Sequence, residues 1–276
     1  MIFCCRKPYT SDPMEITVLG SSSKGNSILI SSRSDRILVD AGLSYSYIRG
    51  ALSRLGVEAE ELSGLLLTHE HGDHTAGVLR FVKNHPGVPV YSTRPTLWSL
   101  RLERGANPVT PGRVFTVGEF TVRPFPVPHD ALQPVGYRIE SGGRVAAVAL
   151  DTGSVNRALI EALRGSHSLV VEANHNRRML REGPYPFPLK RRIADPLGHL
   201  SNDQCGRLLK RVVDPGTRTV VLAHLSEKNN TPSLALSEVV EHLVGDGGGT
   251  AKPPPLGGGI TIEVAKPREI VGPFKV

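Results

Sequence analysis

The sequence predicts a single domain of the α/β class. Short apolar runs of strand length alternate with stretches of helical periodicity in both halves of the chain. Hydrophobic residues make up 39% and charged residues 21% of the 276, a composition typical of a globular domain with a sizeable core. No shift in composition marks a linker before the Gly- and Pro-rich stretch 245–259. We therefore predict one domain over 14–276, with 245–259 as a flexible loop.

The segment before this domain has a different character. Residues 1–13 carry Cys4 and Cys5 but no apolar stretch of the kind that a signal peptide needs. We predict a disordered leader here, with Met14 as an alternative start of translation. The cysteines have no metal-type spacing, which indicates a reducing compartment and a cytoplasmic protein without disulfides. The longest apolar run, 145–150, has the length of a strand, so no membrane span is predicted.

The first half is predicted to begin with three consecutive strands, which favours a meander, and to continue with helices between strands. The predicted strands are 16–19, 27–30, 36–39, 64–67 and 88–91, and the predicted helices are 44–55, 75–83 and 96–104. Ser44 is the expected cap of the first helix. In the third helix, Trp98 and Leu102 are expected to pack inward.

The second half is predicted to place helices between buried strands. The predicted strands are 120–125, 136–139, 145–150, 168–172, 219–222 and 260–264, and the predicted helices are 156–164, 201–210 and 234–243. Ser201 and Gln204 have the spacing of a capping box. The proline-rich stretch 183–188 is incompatible with a helix or a central strand, and we interpret it as a rigid connector.

Three histidines and an aspartate lie within six residues, in Thr68-His69-Glu70-His71-Gly72-Asp73-His74. The segment follows the apolar run at 64–67, so the cluster is expected in a loop at a strand end, where α/β proteins usually build their sites. Neutral imidazole and carboxylate are ligands suited to Zn²⁺, Mn²⁺ or Fe²⁺. Because alternate side chains of a turn point to different sides, one such cluster can serve two ions.

The pattern His69-x-His71-x-Asp73-His74 resembles the signature of the metallo-β-lactamase superfamily. The resemblance implies a four-layer αβ/βα sandwich that holds one or two metals, and it implies further site residues in a set order. Candidates stand at the expected places in the chain. Asp40 ends an early strand, His129 lies alone on a loop, and Asp151 and His224 each follow a buried strand.

The resemblance also implies two divalent metal ions, Zn²⁺ or Mn²⁺, with Fe²⁺ as a third choice, and a bridging hydroxide as the attacking group. The implied ligands are His69, His71 and His129 for one ion, Asp73, His74 and His224 for the other, and Asp151 as the bridge. Asp73 is also expected to act in catalysis by orienting or deprotonating that water. Asp40 is expected behind the ligands, hydrogen-bonded to one of them or to the backbone of the metal loop; the alternative is a plain turn aspartate.

Longer motifs resemble one bacterial branch of the superfamily, the YycJ (WalJ) group, whose members are described as 5′ to 3′ exonucleases on DNA. The resemblance covers essentially the whole chain from Met14 onward, except the Gly/Pro-rich loop. The motifs that carry it are Ser21-Ser22-Ser23-Lys24-Gly25-Asn26, Glu172-Ala173-Asn174-His175, Gly183-Pro184-Tyr185-Pro186, Gly198-His199-Leu200-Ser201-Asn202 and His224-Leu225-Ser226-Glu227-Lys228-Asn229-Asn230.

The residue types in these motifs suit a phosphodiester substrate. The Gly/Ser loop with Lys24 can cradle a phosphate, although a plain hairpin turn has the same composition. His199 is the expected catalytic group that contacts a phosphate or protonates the leaving oxygen, the alternative being a structural histidine. Cations after the proline connector can follow a nucleic-acid backbone, although such runs are often solvated surface. The predicted phosphate and nucleic-acid contacts are Ser22, Ser23, Lys24, Asn26, Asn174, His175, Lys190, Arg191, Arg192 and Asn202.

Together these observations predict a dinuclear-metal-dependent phosphodiesterase that hydrolyses nucleic acid, and in particular a 5′ to 3′ DNA exonuclease. The net charge of +7 favours a polyanionic partner. The alternatives are a hydrolase of a small phosphodiester or thioester on the same fold and, from another class, a metal-stabilised nucleic-acid-binding regulatory module without turnover. The sequence leaves open the identity of the metal, DNA versus RNA, the polarity of cleavage and the oligomeric state.

Overall fold

The computed structural model describes residues 14–103, 105–244 and 259–276. The predicted leader 1–13 and nearly all of the predicted loop 245–259 lie outside these residues. The strands are β1 Glu15–Ser22, β2 Gly25–Ser31, β3 Arg36–Val39, β4 Leu62–Leu66, β5 Val90–Thr93, β6 Ala106–Val109, β7 Phe115–Val117, β8 Phe120–Pro126, β9 Val135–Ser141, β10 Arg144–Ala149, β11 Ser168–Glu172, β12 Thr219–Ala223, β13 Thr261–Val264 and β14 Val271–Lys275. The helices are α1 Tyr45–Arg54, α2 Gly72–Thr75, α3 Val78–Asn84, α4 Arg94–Ser99, α5 Arg157–Leu163, α6 Arg177–Glu182, α7 Phe187–Ile193, α8 Asn202–Val212 and α9 Pro232–Val244.

The described strands form two seven-stranded sheets. The order in the first sheet is β14-β1-β2-β3-β4-β5-β6, and in the second it is β13-β12-β11-β10-β9-β8-β7. The predicted meander is present, since β1, β2 and β3 pair antiparallel. From β3 to β6 the first sheet is parallel, and from β10 to β13 the second is parallel. Because the carboxyl ends of parallel strands meet at one edge of a sheet, each sheet gathers its loops there.

Apolar side chains on alternate strand positions bury both faces of each sheet. Val18 points into the core between the two sheets, whereas its neighbour Leu19 packs on the other face against α1 and α3. In the second sheet Val148 faces the central core and Ala149 faces the layer of α5, α8 and α9. The layers are thus helix, sheet, sheet and helix in one domain, and the predicted αβ/βα sandwich is confirmed.

Several local predictions are confirmed with their boundaries. The predicted strands at 36–39 and 168–172 are β3 and β11. Ser201 caps α8: its hydroxyl accepts a hydrogen bond from the Gln204 backbone, and the Gln204 side chain accepts one from the Ser201 backbone at 2.9 Å. The Ser44 cap of α1 is present as well.

Other local predictions are wrong for identifiable reasons. The helix predicted at 75–83 divides into α2 and α3, because the Gly77 backbone donates to the Ala41 carbonyl at 2.7 Å and a Cβ there would overlap the Leu43 carbonyl. The third helix is α4, and Trp98 on it is 79% exposed rather than inward. Leu102 does pack against the core, as expected.

The proline-rich stretch contains more helix than the sequence analysis predicted. Its last two residues begin α7, because a proline in the first helical turn loses no hydrogen bond that the helix would make. The helix α6 directly before the connector was also not predicted. Lys190, Arg191 and Arg192 therefore lie on α7 rather than in an extended segment.

Two findings bear on the setting of the domain. Within the described residues, no helix has the length and apolar character that crossing a bilayer demands. Cys205 is a free thiol buried in α8, and its burial raises its pKa.

Candidate metal centre and active site

Most of the predicted ligands, and Asp40 behind them, follow the carboxyl ends of parallel strands. Asp40 follows β3, the His/Asp loop follows β4, Asp151 follows β10 and His224 follows β12. Asp40, Asp151 and His224 have positive φ angles of 60°, 49° and 56°. Left-handed backbone at a residue other than glycine costs about 1–3 kcal/mol and concentrates at functional sites. Its recurrence at three strand ends that converge in space marks this end of the sandwich as a site.

Three histidines form one candidate metal-binding group. Ligand atoms of His69, His71 and His129 all lie within 4.8 Å of one another. His129 Nε2 is 3.2 Å from His71 Nδ1, and His129 Nδ1 is 3.1 Å from the Gly198 carbonyl, which fixes the ring. This is the first ligand set that the sequence predicts.

A second group adjoins the first. Ligand atoms of Asp73, His74, Asp151 and His224 also lie within 4.8 Å of one another. His224 Nε2 is 3.0 Å from Asp73 Oδ2, and His74 Nε2 contacts Asp151 Oδ2. The same Asp151 oxygen is 3.4 Å from His69 Nε2 in the first group. Asp151 therefore lies between the two groups, at the predicted bridging position.

Crowded buried atoms show that this arrangement fits metal ions. His69 Nε2 and both carboxylate oxygens of Asp151 are buried without a well-aligned hydrogen bond among the described residues. The Asp151 oxygens instead lie against the imidazole nitrogens of His74, His199 and His224. Buried polar atoms normally make a hydrogen bond, so nitrogens and oxygens of ligand type crowded together in this way suit a bound cation. Imidazole nitrogens and carboxylate oxygens are suitable donors for Zn²⁺ or Mn²⁺.

The electrostatics favour ligand-competent protonation states at His69 and Asp151, whereas at His74 and His224 burial lowers the pKa of each imidazole but the surrounding carboxylates raise it by more. Burial lowers the pKa of His69 well below its usual value, and the neighbouring His74 lowers it further. Burial raises the pKa of Asp151, but His224 and His74 lower it by more, so it lies well below the ordinary value for aspartate. A neutral imidazole and an ionised carboxylate are the forms that bind metal.

Asp40 lies behind the second group and holds it in place. Its carboxylate accepts the Thr68 backbone N–H at 2.8 Å and the Thr68 hydroxyl at 2.9 Å. It also lies 2.7 Å from His74 Nδ1, which leaves Nε2 of that ring facing Asp151. These contacts suit the expected role of Asp40 in orienting a ligand and the metal loop.

Glu172 is a site residue that the sequence analysis missed as an individual. It ends β11, is fully buried, and Oε1 lies 2.8 Å from both His199 Nδ1 and His224 Nδ1. Its other oxygen accepts the backbone N–H groups of Thr152 and Leu200. Burial raises the pKa of Glu172, but His199 and His224 lower it to about 2 overall. The available signal was its position at the end of a buried strand, directly before the Asn174-His175 motif.

We expect Glu172→Gln to lower affinity for Zn²⁺ or Mn²⁺, or the rate of hydrolysis, roughly 10- to 100-fold. Glu172 accepts four hydrogen bonds, whereas a glutamine offers one acceptor oxygen and sets its NH₂ against the remaining donors. Chelator competition and steady-state kinetics would measure the two quantities. Glu161→Gln on α5, which removes a charge from an exposed ion pair with Arg157, is the matched control. Equal behaviour of the two variants would contradict the role of Glu172.

The two candidate metal-binding groups, which we call the metal groups, open into a cleft of about 420 Å³. Its walls combine the candidate ligands with residues from the Gly/Ser loop, α7 and the loop after β12. They are Ser23, His71, Gly72, Asp73, His129, Asp151, Asn174, Tyr185, Leu189, Arg192, Ile193, His199, His224 and Ser226. His199 thus lies beside the metal groups, as the prediction of a catalytic role requires.

Only part of the predicted phosphate-binding set lies at the cleft. Ser23, Asn174 and Arg192 line it. Lys24 lies on the same loop as Ser23, and its 76%-exposed side chain pairs with Glu227 at 2.5 Å. The loop therefore reaches the cleft through Ser23, whereas Lys24 is not part of the described cleft lining.

The remaining predicted contacts need correction, because burial removes three of them from solvent. Ser22, Asn26 and Asn202 are buried, and the latter two spend their side chains on protein groups. Asn26 Nδ2 donates to the Asp73 carbonyl at 3.3 Å, and Asn202 Nδ2 donates to Asn230 Oδ1 at 3.0 Å. They support the loops of the site rather than contact a phosphate directly.

Three further predicted contacts lie away from the metal cleft. His175, Lys190 and Arg191 line a different cavity on the other side of α7. The sequence alone did not separate them from Arg192, because a helix divides adjacent residues between two faces.

A two-sheet sandwich with His/Asp groups at its strand ends defines a metal-dependent hydrolase of the metallo-β-lactamase fold. A family model described as "Beta-lactamase superfamily domain" matches residues 35–225. The chain therefore belongs to the beta-lactamase superfamily, and the resemblance predicted from its motifs is confirmed.

Comparison with individual proteins supports the same placement. Exodeoxyribonuclease YycJ of Bacillus anthracis is 33% identical over 245 residues, which are 87% of this chain and 92% of that protein. Exodeoxyribonuclease WalJ of Streptococcus pneumoniae serotype 2 is 32% identical over 235 residues, covering 82% and 87%. The crystal structure of the metallo-beta-lactamase fold protein YhfI from Bacillus subtilis superposes with a TM-score of 0.69 at 20% identity, covering 94% of this chain and 99% of that one. That structural likeness shows the fold.

Proposed function

We propose that this protein is a dinuclear metal-dependent phosphodiesterase acting on nucleic acid, and in particular a 5′ to 3′ DNA exonuclease. The observation that carries the proposal is the position of Asp151, whose buried carboxylate lies against His69 of one group and His74 of the other, in a cleft that also contains His199 and Arg192. The relatives named exodeoxyribonucleases support DNA as the substrate. The 5′ to 3′ polarity rests on the resemblance of the motifs.

The donor set would hold two divalent ions. The residues proposed as ligands are His69, His71 and His129 for one ion, Asp73, His74 and His224 for the other, and Asp151 for both. Bound there, Zn²⁺ or Mn²⁺ supplies Lewis acidity and lowers the pKa of a coordinated water. Asp73 is 24% exposed and lines the cleft, so its carboxylate is the ligand best placed to orient an attacking water.

His199 is proposed to deliver a proton to the leaving oxygen. Glu172 and Asp151 lie 2.8 Å and 3.1 Å from its Nδ1, so Nε2 is the ring nitrogen without a hydrogen bond in the described part of the chain. Burial lowers the pKa of His199, but Glu172 and Asp151 raise it by more, which keeps a proton on the ring. A charged imidazole anchored at one nitrogen and facing the cleft with the other is suited to general acid catalysis.

Phosphate binding is proposed for groups around the rim of the cleft. Arg192 is held at 2.6 Å by Asp130, which positions its guanidinium at the wall formed by α7. Ser23, an exposed residue of the Gly/Ser loop, adds a neutral donor to the cleft, while Asn174 is 2% exposed and donates its Nδ2 to the His224 carbonyl at 2.9 Å, so it supports the wall. Together Arg192 and Ser23 can bind the non-bridging oxygens of a phosphodiester while the metal groups face the phosphorus.

The test is hydrolysis of linear DNA by protein that has been stripped with a chelator and reloaded with Zn²⁺ or Mn²⁺. A 3′-labelled strand should shorten in steps and a 5′-labelled strand should release labelled mononucleotide, with and without a 5′-phosphate compared in parallel. The Asp73→Ala/His74→Ala double variant should be inactive, and closed circular DNA should resist the wild type.

The other outcomes of this test point to the alternative functions. Hydrolysis of bis(p-nitrophenyl) phosphate without any cleavage of DNA or RNA would replace the proposal with a small-phosphodiester hydrolase. Binding of nucleic acid that persists in the double variant, with no turnover of any diester or thioester, would replace it with a regulatory binding module.

A further inference from the structure

A second cavity of about 480 Å³ lies on the far side of α7 from the metal cleft. The two faces of the helix divide between the two spaces: Leu189 and Arg192 line the metal cleft, whereas Lys190 and Arg191 line the second cavity. We call this second space the rear pocket. It contains none of the candidate metal ligands, so it is separate from the site described above.

The rear pocket is cationic. Its described lining includes Arg177, Arg181, Lys190 and Arg191 and no carboxylate. Arg177 and Arg181 are ion-paired to carboxylates beside the pocket, Asp203 at 3.0 Å and Glu182 at 3.2 Å. Lys190 Nζ donates to the Arg181 carbonyl at 2.8 Å, so the lysine is fixed without being neutralised. The Arg191 side chain has no hydrogen bond or ion pair within the described residues. Lys190 and Arg191 are therefore cations without a paired acid in a concave space, which favours an anion, and arginine is suited to phosphate.

The pocket also has a polar atom in need of a partner. The ring of His175 lines it and is 3% exposed, and its Nδ1 is buried with no hydrogen-bond partner in the described parts of the chain. A buried imidazole in this state can pair with a ligand or with ordered water. The position places a buried imidazole directly behind the cationic wall.

An aromatic ring stands at the same pocket. Phe187 begins α7, is 76% exposed and lines the pocket together with the apolar side chain of Leu180. An exposed phenylalanine beside a group of arginines is the combination that binds single-stranded nucleic acid, since bases stack on the ring while cations meet the backbone. The volume is within the range of pockets that hold small ligands.

A third cavity on the surface of α7 joins the metal cleft to the rear pocket. It is lined by Arg192, which also lines the cleft, and by Phe187 and Arg191, which also line the rear pocket. Asp130 and Asp195 line it as well, and Asp130 pairs with Arg192, so Arg191 is the unpaired cation of this passage. A polynucleotide with one phosphate in the cleft can therefore cross α7 and place a later nucleotide behind it. A free mononucleotide would need only the rear pocket.

We propose that the rear pocket is a second nucleotide-binding site that holds a phosphate and base of the polynucleotide substrate at a distance from the cleaved bond. The proposal rests on the proposed function and extends it, because it assigns a subsite that makes longer strands better substrates than short ones. Phe187 stacks the base, and Arg181 and Arg191 bind the phosphate.

The test compares an Arg181→Glu/Arg191→Glu double variant with wild type on a long single-stranded oligonucleotide, a dinucleotide and bis(p-nitrophenyl) phosphate. We expect kcat/KM on the long strand to fall roughly tenfold or more relative to the small diester. The dependence of log KM on log salt should flatten by about 1.4 for two lost single-strand contacts. Phe187→Ala should also lower kcat/KM on the long strand, relative to kcat/KM on the small diester, about tenfold.

Arg49→Glu, on an exposed face of α1 and outside all three cavities, is the matched charge-reversal control and should leave the ratio unchanged. A ratio in the double variant equal to that of the control would overturn the proposal. So would a wild-type preference that is independent of strand length. A third result would also contradict the proposal. If dAMP or inorganic phosphate inhibits the wild type but not the double variant, and the double variant keeps the preference for long strands, the pocket binds a free nucleotide or phosphate and is not a subsite for the substrate strand.

A failure of the proposed function gives a different result. In that case wild-type protein hydrolyses the small diester but neither oligonucleotide. Fluorescence anisotropy with the labelled long strand then decides the rear pocket on its own: loss of binding in the double variant supports the site, and unchanged binding overturns it.

Discussion

Replacing His199 with alanine is expected to slow hydrolysis of DNA by roughly 10²- to 10⁴-fold. It should slow hydrolysis of bis(p-nitrophenyl) phosphate far less. The sugar oxygen that leaves from DNA is strongly basic and needs a proton in the transition state, whereas nitrophenolate leaves as a stable anion. The contrast between the two substrates therefore measures proton delivery, which a structural role for His199 would not produce.

The variant needs a check on the metal groups, because His199 Nδ1 is 3.1 Å from Asp151. Metal content and chelator resistance measured beside the kinetics should match the wild type. If both substrates slow by the same factor with metal retained, His199 positions its neighbours and does not act as the acid. If metal is lost, His199→Gln provides the second variant. Its amide can keep a hydrogen bond to Glu172, but an amide N–H is not acidic enough to be transferred to a leaving oxygen.

The predicted metal ligands are the part of the predicted site that the structure brings together most fully. His69, His71 and Asp73 are close in the chain, so local spacing alone brings them together. Asp151 and His224 come from distant strands, and their convergence follows from the parallel arrangement of β10 and β12 beside β11. Strand ends in a parallel sheet meet at one edge, so a prediction of strands is also a prediction of proximity.

Residues whose role depends on burial were harder to assign. Glu172 ends an apolar run, and nothing in its neighbours shows that two imidazoles from 199 and 224 meet its carboxylate. Asn26 and Asn202 have the residue type of phosphate ligands, but the structure buries them in hydrogen bonds to Asp73 and Asn230. Residue type predicts which bonds a side chain can make, while the fold decides with which partner.

The fold predictions failed mainly at edges and on short helices. The strands β6, β7 and β14 lie at the edges of the sheets, where most of their residues are exposed or half-buried. They therefore have few of the alternating apolar residues that mark a half-buried strand in a sequence. Trp98 was expected to pack inward together with Leu102 on a helix over 96–104, yet α4 ends at Ser99 and Trp98 is 79% exposed. Tertiary packing decides whether such a residue is buried, and a short stretch of sequence does not show how the chain packs around it.

The second large effect concerns a glycine rather than a ligand. Gly42 follows Asp40 after β3, and its backbone N–H donates to the Asn26 carbonyl at 2.9 Å. A Cβ added at Gly42 would overlap the backbone carbonyl of Asp73, on the loop after β4 that carries four candidate ligands. We expect Gly42→Ala to move that loop, to destabilise the fold by about 1–3 kcal/mol, and to reduce activity roughly 10²-fold, since about 1 Å of misplacement has that effect.

Gly50→Ala separates this steric effect from the general effect of replacing a glycine. Gly50 lies on α1 with nothing within 4 Å of an added Cβ, so alanine there should stabilise the protein by about 0.5–1 kcal/mol and leave activity unchanged. Thermal unfolding with and without Zn²⁺ measures both variants. Because the overlap falls on the metal loop, Gly42→Ala should also lose most of the stabilisation that metal gives the wild type. A Gly42→Ala protein with wild-type metal stabilisation and activity would show that the loop can move aside without disturbing Asp73 and His74, and that the ligand geometry is set by Asp40 and Thr68 alone.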